Sequence, residues 1–347
     1  MYEVDFLPVE AEEGGSTKSG DAICMRITTP SRDEPVVVVI DGGFGAVGED
    51  LAAHIEQYYG TKRVDLVIST HPDGDHINGL VKVLENCEVG ELMMHLPWKY
   101  NRQAAEISNF ERIVELYDLA VRKSIPITEP FTGVVRFDGA VRVLGPTVAF
   151  YEEQLAGDVS AVTGAVELSA RGSFGSQMLA TGKKVLERVL SAFPVETLSD
   201  ADETSARNKG SVITLVQADG KRLLFTGDAG IPSLDHAADE YERIVGTFSD
   251  YPLDLLQAPH HGSHRNVGPT VLNRILGRKG EAYGSTLAVI SSAKLSEKHP
   301  SPKVTNALGR RGATVNVTEG TTLCYGATNR AGWGPATPVP PLEEGEW

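Results

Sequence analysis

The sequence of 347 residues is poor in cysteine and has no long apolar run. Its three cysteines, Cys24, Cys87 and Cys324, are far apart, which excludes a disulfide framework and a zinc site built from thiolates. No stretch approaches the ~20 consecutive apolar residues that a membrane-spanning helix needs. The acidic first residues also lack the apolar core of a secretory signal. We therefore expect a cytoplasmic protein that does not associate with a membrane.

Positive charge is scarce over most of the chain. The 32 Lys and Arg residues stand against 47 Asp and Glu residues, which gives a formal net charge of −15. Such a chain is a poor general binder of nucleic acid, because the phosphate backbone favours positive surface. The segment 260–311, called the basic lobe below, is the exception, with nine basic and two acidic residues. Either it holds one anionic substrate or it is an ordinary solvated surface.

Strand-like and helix-like stretches alternate along the chain. The apolar run at 36–40 predicts a buried strand, and the spacing of apolar residues at 48–60 predicts a helix. The stretch 211–228 predicts a β-hairpin that turns at Asp219-Gly220. A closing strand pair is expected near the end, at 313–318 and 321–326. This mixture predicts an α/β protein built in layers.

The expected domain organisation is simple. We predict one domain over 1–330. Within it, the stretch at about 150–206 has helical patches among Gly, Ser, Asp and Glu and no strong strand, which indicates an insertion or lid. Residues 331–347 are rich in Pro and Glu and predict a flexible tail.

The densest group of metal-binding residue types is the stretch STHPDGDH at 69–76. It follows an apolar strand-like run and brings together His71, Asp73, Asp75 and His76. Imidazole nitrogens and carboxylate oxygens are ligands that suit zinc, manganese or iron. A loop that leaves a strand can direct several such side chains at one point. The alternative is a polar turn with surface histidines, which two histidines in so dense a set disfavour.

Histidine and aspartate also follow three later strand-like runs. Asp228 ends the run LLFTGD, and His299 lies in a loop after the run STLAVISS. His260, His261 and His264 follow the run LLQAP. Taken singly these signals are weak, because strand ends with Gly and Asp are common in hairpins and neighbouring histidines also occur as surface clusters.

In their order, these motifs resemble those of the metallo-β-lactamase superfamily, and most closely the hydrolase domain of ComEC-type DNA-uptake proteins. The likeness runs through GDAI (20–23), IDGG (40–43), STHPDGDHINGL (69–80), FTGD (225–228), PHHGS (259–263) and KHPSP (298–302). It implies that the domain is a four-layer αββα sandwich, with two β-sheets stacked face to face and metal ions at one edge.

The resemblance also implies ligands for one or two divalent ions, Zn or Mn. His71 and Asp73 would serve a first ion, and Asp75 and His76 a second. Asp228 matches the aspartate that bridges the two ions. The last ligand is His260 or His261, and His260 is favoured because it is the first histidine after the strand.

The third superfamily motif is where the chain departs from the pattern. The superfamily places a histidine just before the GSV-type strand, whereas this chain reads RNKGSV at 207–212. The first metal site is therefore short of one ligand, so that it is weakly occupied, completed by another group or lost. His95 is the other histidine considered for that place. A histidine that ends a strand beside Met and Trp is, however, more often a satisfied core residue.

The resemblance and the basic lobe together favour a phosphodiesterase that acts on a nucleic acid or a nucleotide. Asp75, with Asp228, is expected to hold a metal-activated water. His299 is expected to bind a phosphate oxygen or to protonate the leaving group. Further candidates for contact with the anionic phosphodiester are Lys18, Ser263, His264, Lys294 and Lys298.

Two other functions remain open. An ester, thioester or lactone hydrolase could use the same scaffold, because a fold does not fix its substrate. A metal-binding but non-catalytic subunit of a larger assembly, with a protein partner, also agrees with the acidic remainder of the chain. The sequence leaves the oligomeric state open, a homo-oligomer included.

Overall fold

The computed structural model of the chain describes residues 1–13, 16–169, 196–326 and 330–342. Within these ranges the strands are β1 (Tyr2–Phe6), β2 (Ala11–Glu13), β3 (Ser16–Lys18), β4 (Ala22–Ile27), β5 (Val36–Gly42), β6 (Arg63–Val64), β7 (Leu66–Ile68), β8 (Glu88–Val89), β9 (Leu92–Met93), β10 (Ile127–Thr128), β11 (Val135–Arg136), β12 (Val141–Gly145), β13 (Ile213–Ala218), β14 (Lys221–Phe225), β15 (Leu255–Gln257), β16 (Gly277–Arg278), β17 (Glu281–Ala282), β18 (Leu287–Ile290), β19 (Thr314–Val317) and β20 (Leu323–Gly326). The α-helices are α1 (Gly45–His54), α2 (Gly74–Asn86), α3 (Phe110–Arg122), α4 (Val148–Ser169), α5 (Ala206–Lys209), α6 (Ile231–Ile244), α7 (Pro269–Leu276) and α8 (Pro302–Arg310). Among these described helices, none is long and apolar enough to cross a bilayer.

Two seven-stranded sheets form the centre of the molecule. The strand order is β10-β9-β7-β5-β4-β1-β20 in the first sheet and β11-β12-β13-β14-β15-β18-β19 in the second. In the first sheet β5, β7, β9 and β10 are parallel, and in the second β14, β15, β18 and β19 are parallel. Parallel strands that are neighbours in a sheet end at the same edge, so each sheet brings several strand ends together there.

The alternation of side chains along the strands builds the core on both faces of each sheet. In β5, Val38 and Ile40 face the second sheet, where they share a cluster with Phe225. The intervening Val37 and Val39 pack on the helices of the first sheet. Because successive residues of a strand point to opposite faces, an unbroken apolar run is what a strand buried on both sides requires.

Helices cover the outer face of each sheet. α1, α2 and α3 pack on the first sheet through Leu51, Leu80 and Leu116. α6, α7 and α8 pack on the second sheet in the same way. The molecule is therefore the four-layer αββα sandwich that the motifs predicted.

Two local expectations have different outcomes. The predicted hairpin is confirmed as β13 and β14, with positive φ at Asp219 (52°) and Gly220 (74°), as a tight hairpin turn requires. The closing strand pair is wrong. β20 pairs with β1 in the first sheet, whereas β19 lies at the edge of the second sheet. Sequence spacing alone does not reveal that neighbouring strands belong to different sheets.

The expected lid and tail are described only in part. The stretch at about 150–206 begins inside α4, and residues 170–195 lie outside the described part of the chain. In the tail region, Arg330 donates two hydrogen bonds of 2.8 Å to Asp5. The backbone N–H of Val339 donates to the carbonyl oxygen of Val315 at 2.8 Å. Contacts with the body thus continue past residue 330, while 343–347 lie outside the described residues.

Candidate metal centre

Asp228 lies among four histidines at the carboxyl ends of the parallel strands. Its side chain follows β14 and is 3% exposed. One carboxylate oxygen, Oδ1, lies 3.3 Å from Nε2 of His76 and 4.0 Å from Nε2 of His261. The other, Oδ2, lies 3.6 Å from Nε2 of His71 and 3.5 Å from Nε2 of His260. Asp228 therefore stands between two pairs of imidazoles, in the place expected for a bridging ligand.

The Nδ1 atoms of His71 and His76 are both held through Asp41, at the end of β5. His76 donates from Nδ1 to Oδ2 of Asp41 at 2.8 Å. His71 donates from Nδ1 to the hydroxyl oxygen of Thr70 at 3.0 Å, and this hydroxyl donates in turn to Oδ2 of Asp41 at 2.5 Å. Both rings therefore carry their proton on Nδ1 and present the Nε2 lone pair towards Asp228.

The Nδ1 atoms of His260 and His261 are held by the second sheet and its loops. His261 donates from Nδ1 to the carbonyl oxygen of Ser291, after β18, at 3.0 Å. Nδ1 of His260 lies 2.9 Å from Oδ1 of Asn266. The amide nitrogen of Asn266 donates to the carbonyl oxygen of Asp228 at 2.8 Å, so that its Oδ1 is the acceptor for His260. All four histidines thus point Nε2 at the same carboxylate.

The residues present fit a divalent cation. Nε2 of His71, His76 and His261 and Oδ1 of Asp228 are buried and have no hydrogen-bond partner within the described part of the chain. A buried polar atom without a partner costs stability, so convergent lone pairs of this kind fit the coordination of a cation. Ligand atoms of Asp75, His76 and His261 lie within 4.8 Å of one another. Imidazole and carboxylate together are a donor set that zinc and manganese accept.

The charges of the site depend strongly on one another. Burial alone raises the pKa of Asp228, but the surrounding histidines, His260 first, hold it well below its usual range. Burial likewise opposes a charge on His76, yet the carboxylates of Asp228 and Asp41 raise its pKa well above the ordinary value. The pKa of His261 is raised as well, chiefly by Asp228 and Asp75. A cluster of this kind requires positive charge, which either protons or metal ions can supply.

The motif at 69–76 is divided between a loop and the first turn of α2. His71 lies between β7 and α2, whereas Asp75 and His76 belong to the first turn of α2, which begins at Gly74. The expectation that a loop directs all four side chains is therefore wrong. The N-terminus of α2 favours the carboxylate of Asp75 through the helix dipole. Its contact with His261 keeps the pKa of Asp75 below the usual range although burial raises it.

The structure separates the two candidates for the last ligand. Nε2 of His261 lies 3.6 Å from Oδ2 of Asp75, on the side of His76. His260, which the sequence favoured for that place, lies on the opposite side of Asp228, with His71. The two neighbouring histidines therefore do not compete for one position.

The stretch that lacks the third-motif histidine contacts the site through other side chains. Arg207, in α5, forms an ion pair with Oδ1 of Asp73 and a second with Asp158 at 3.2 Å. Asn109 also donates to Oδ1 of Asp73, at 3.1 Å. Burial raises the pKa of Asp73, but His71 and Arg207 outweigh it and hold that pKa well below the usual range. Oδ2 of Asp73 is left facing Nε2 of His71, 3.7 Å away.

Several residues of the site were not assigned a role from the sequence. Asp41 lies in the quoted stretch IDGG and Asp21 in GDAI, but nothing local marks either as a partner of His76. Oδ2 of Asp21 accepts a 2.7 Å hydrogen bond from Gln257 and lies 3.8 Å from Nδ1 of His76. Gln257 also accepts the N–H of Thr226, so it links β15 to the loop of Asp228. Only the stacking of two sheets brings these distant residues together.

His299 lies beside the histidine cluster. Its ring centroid is 5.5 Å from that of His260 and 6.2 Å from that of His261. Burial, assisted by the positive charge of these two neighbours, lowers the pKa of His299 to about 3. A neutral His299 can donate a hydrogen bond at neutral pH but carries no charge.

The proposed substrate contacts differ in exposure. Lys294 and Lys298 are exposed and lie in the loop that leads to His299. Lys18 is exposed at the end of β3, next to Ser19, whose hydroxyl accepts the N–H of Ala293 at 3.0 Å. The three lysines therefore belong to two segments that meet.

Ser263 and His264 serve the same region in different ways. Ser263 is buried, and its hydroxyl oxygen accepts the backbone N–H of Arg265 at 3.3 Å, so it stabilises its own turn. His264 is half-buried, and its charge adds to the lowering of the pKa of His299. Neither observation shows contact with a substrate, so substrate contact of Ser263 and His264 stays a prediction.

The basic lobe is less positive than its composition suggests. Arg274 forms 2.7 Å ion pairs with Asp239 and with Glu242. Lys279 and the buried Arg311 both pair with Glu196 at 2.9 Å. These acidic partners lie outside the segment 260–311, so part of its excess charge is neutralised locally.

His95 is not one of the four histidines that surround Asp228, although it lines the same small cavity as His71. Its ring stacks on Tyr151, with centroids 4.2 Å apart, and contacts Phe131. Both ring nitrogens are buried and have no hydrogen-bond partner. The expectation of a satisfied core residue is therefore wrong, and burial lowers the pKa of His95 to about 3.

Residues 32–163 match the family model described as the metallo-beta-lactamase superfamily. The match covers less than half of the chain, and over that stretch the chain is similar to the superfamily whose motifs it resembles. Members of the superfamily are hydrolases that typically bind divalent metal ions, which agrees with the groups of His and Asp described above. The narrower likeness to ComEC-type proteins is not confirmed. No curated protein matches the chain.

Solved structures similar to this chain share little of its sequence. The metallo hydrolase Igni18 from Ignicoccus hospitalis is 13% identical, with 94% of this chain and 100% of that one covered and a TM-score of 0.44. YhfI from Bacillus subtilis, a metallo-beta-lactamase fold protein, is 9% identical, with the same coverage and a TM-score of 0.42. A putative metallo-beta-lactamase from Thermotoga maritima is 14% identical, with 65% and 78% covered and a TM-score of 0.34.

Proposed function

We propose that the protein is a metal-dependent hydrolase that cleaves a phosphodiester bond of a nucleic acid or a nucleotide. The observation that carries this proposal is the convergence of unpartnered Nε2 atoms on the carboxylate of Asp228. Bound Zn²⁺ or Mn²⁺ would lower the pKa of a coordinated water towards ~7 and so supply hydroxide at neutral pH. A cytoplasmic location remains the prediction from the sequence.

The residues of the chain divide the remaining work. His71, His76 and His261 would hold the metal with Asp73, Asp75 and Asp228. Asp75 and Asp73 are similarly accessible, with 28% and 27% of their side chains exposed, against 3% for Asp228, but Oδ1 of Asp73 is occupied by Arg207, which leaves Asp75 as the open carboxylate. It is therefore placed to accept a hydrogen bond from the attacking water while Asp228 stays on the metal side. His299, which is neutral at neutral pH, would donate a hydrogen bond to a phosphate oxygen or to the leaving-group oxygen.

The charge at the entrance supports a phosphodiester as the substrate. Lys294 and Lys298 are exposed beside His299, and Lys18 extends from the hairpin segment that contacts Ala293. No ion pair of Lys294 or Lys298 occurs among the described residues, in contrast to Arg274 and Lys279. Exposed Lys294 and Lys298 at the mouth of the site would attract an anion over long range.

The test compares two chromogenic substrates, bis(p-nitrophenyl) phosphate and p-nitrophenyl acetate, with Mn²⁺ or Zn²⁺ added to chelator-treated protein. We expect metal-dependent hydrolysis of the phosphodiester, lost at least 100-fold in Asp75→Asn. The matched control is Asp118→Asn on the exposed face of α3, which should keep full activity. Metal binding without turnover of either substrate would contradict the proposal and favour a non-catalytic metal-binding subunit.

A second candidate, an ester, thioester or lactone hydrolase, is favoured by a separate observation. A small cavity of about 40 Å³ lies beside His71, and its lining is mostly apolar, with Ile77, Met94, Ile107, Ile113, Tyr151 and Leu155 beside the polar His95, Asp158 and Arg207. Such a cavity suits an acyl chain better than a phosphate. Faster hydrolysis of p-nitrophenyl esters as the acyl chain lengthens, with no phosphodiester turnover, would establish this alternative.

A further inference from the structure

We propose that the tandem histidines His260 and His261 are divided between two metal ions, and that His260 supplies the ligand that the third motif lacks. His71, Asp73 and His260 would then hold the first ion, and Asp75, His76 and His261 the second, with one oxygen of Asp228 on each. This inference rests on the proposed metal-dependent hydrolase but not on its phosphodiester substrate.

The two oxygens of Asp228 carry the first step. Oδ1 faces His76 and His261, and Oδ2 faces His71 and His260, all at 3.3 to 4.0 Å. A metal ion that both imidazoles of such a pair coordinate at about 2.0 to 2.2 Å would lie between the two rings. The first position therefore has two imidazoles, as the second has, although no histidine precedes β13.

The backbone conformation explains how neighbouring residues reach opposite sides. His260 and His261 both have positive φ, 49° and 54°, a backbone conformation that residues other than Gly rarely adopt. Their ring planes are 73° apart, with centroids at 5.7 Å. Two consecutive left-handed residues are strained, and strain of this kind is retained where it orients functional groups.

Hydrogen bonds to Nδ1 prepare each ring for a separate ion. Asn266 accepts from His260 and the carbonyl of Ser291 accepts from His261. The carbonyl of Ser291 fixes for His261 the tautomer whose Nε2 lone pair is free, and Oδ1 of Asn266 favours the same tautomer for His260. A histidine that served only to fill space would not need an acceptor whose own amide is anchored on the backbone of Asp228.

The third-motif stretch completes the argument by contacting the first position indirectly. Arg207 and Asn109 occupy Oδ1 of Asp73, which leaves Oδ2 towards His71. This stretch thus positions Asp73, one ligand of the first ion, and provides none itself.

The experiment counts metal ions. Chelator-treated protein is loaded with Mn²⁺ or Co²⁺, freed of excess metal by gel filtration and analysed for metal per chain. We expect two ions per chain in the wild type, and about one in His260→Ala and in His261→Ala. The absorption spectrum of the Co²⁺ forms should differ between these variants, since a different site remains filled in each. His236→Ala, on the exposed side of α6, is the matched control and should retain two ions.

Circular dichroism of the metal-free variants, together with the more conservative His260→Gln, separates loss of a ligand from loss of folding. One ion per chain in the wild type, or two in a folded His260→Ala or His260→Gln variant, overturns the inference. Two ions in a wild type that does not hydrolyse the phosphodiester would support the inference and reject the proposed substrate. Phosphodiester turnover by a wild type that holds a single ion would reject the inference and support the proposed substrate.

Discussion

A single hydrogen bond decides what each histidine of the site can do. The rings of His71 and His76 depend on the carboxylate of Asp41, directly or through Thr70. A carboxylate that accepts from Nδ1 both fixes the tautomer and makes Nε2 a stronger donor to a metal. Asp41 itself has a φ of 55°, which Asp and Asn tolerate better than other side chains.

Asp41→Asn should therefore weaken metal binding without unfolding the protein. Asparagine tolerates the same backbone conformation but carries no negative charge to hold the Nδ1 proton of His76. We expect the affinity for Mn²⁺ or Zn²⁺ to fall ~10- to 100-fold, measured by competition with a chelating dye. The control is Asp138→Asn, an exposed aspartate with a φ of 57°. Equal affinities of both variants would show that Asp41 has no role in the site.

The sequence predicted the site residues that stand together in a short motif and missed those whose partners are distant in the chain. His71, Asp73, Asp75 and His76 stand in one short motif, whereas Asp41 and Thr70 are 29 residues apart and Asp21 and Gln257 are 236 apart. A partner of this kind leaves no spacing signal, because the fold alone creates the contact. The choice between His260 and His261 was also beyond the sequence, since it depends on two backbone angles.

His95 should make the protein sensitive to acid. Its pKa is about 3 in the folded protein, because burial opposes the charged ring, and ~6.5 in the unfolded chain. Between these values the unfolded state binds the additional proton, so stability falls as the pH falls from ~6.5 towards 3. His95→Phe keeps a ring to stack on Tyr151 and removes the titration.

Urea unfolding of wild type and His95→Phe at pH 7.5, 6.0 and 5.0 measures this effect. The wild type should lose stability relative to the variant by at most about 1.4 kcal/mol per pH unit below pH 6.5. The exposed His236, changed to Phe, is the control and should show no such trend. Parallel stability curves for wild type and His95→Phe would mean that water reaches the ring of His95.

At the scale of elements, the position of α2 determines the position of the metal ligands it carries. Gly79, one turn after His76, touches the end of β5, and a Cβ added there would lie 1.8 Å from the carbonyl oxygen of Gly42. The backbone N–H of Gly79 also donates to the carbonyl oxygen of Gly43 at 2.8 Å. Such an approach of helix and strand is available only to glycine.

Gly79→Ala should therefore destabilise the protein by ~1–3 kcal/mol or more, because the helix must shift away from β5. The matched control is Gly309→Ala in α8, where an added Cβ meets nothing within 4 Å. That change should stabilise the helix by up to ~1 kcal/mol. Denaturant unfolding of both variants gives the comparison. An unchanged free energy of unfolding in Gly79→Ala would contradict the close packing of α2 on β5.

The order of the layers was predictable from the sequence, whereas the sheet to which an individual strand belongs was not. β5 is apolar at every position from Val36 to Ile40, and this marks a strand buried on both faces. β19 and β20 follow one another like a hairpin, yet they lie in different sheets. What separates them is the pairing of β20 with β1, a contact between opposite ends of the chain that no local pattern announces.

At the scale of the whole molecule, the balance of charge separates structural cations from those free to attract a substrate. Arg274, Lys279 and Arg311 of the basic lobe are engaged with Asp239, Glu242 or Glu196. Exposed Lys294, Lys298 and Arg265 form no ion pair among the described residues. Against a net charge of −15, a local positive entrance matters more for an anion than for a neutral substrate.

Neutralising Lys294, Lys298 and Arg265 together should accordingly raise KM for a phosphodiester much more than for a neutral ester. The change should shrink with added salt, because the Debye length falls from ~10 Å at 0.1 M to ~3 Å at 1 M. The matched control replaces Arg32, Lys62 and Lys82, which alters the net charge equally but removes cations already paired with acidic residues. His299→Ala should act differently and lower kcat more than KM, if its ring serves the leaving group. An equal loss for both substrates that salt does not change would mean that the three cations are ordinary solvated surface, and the ester or lactone hydrolase would then become the better assignment.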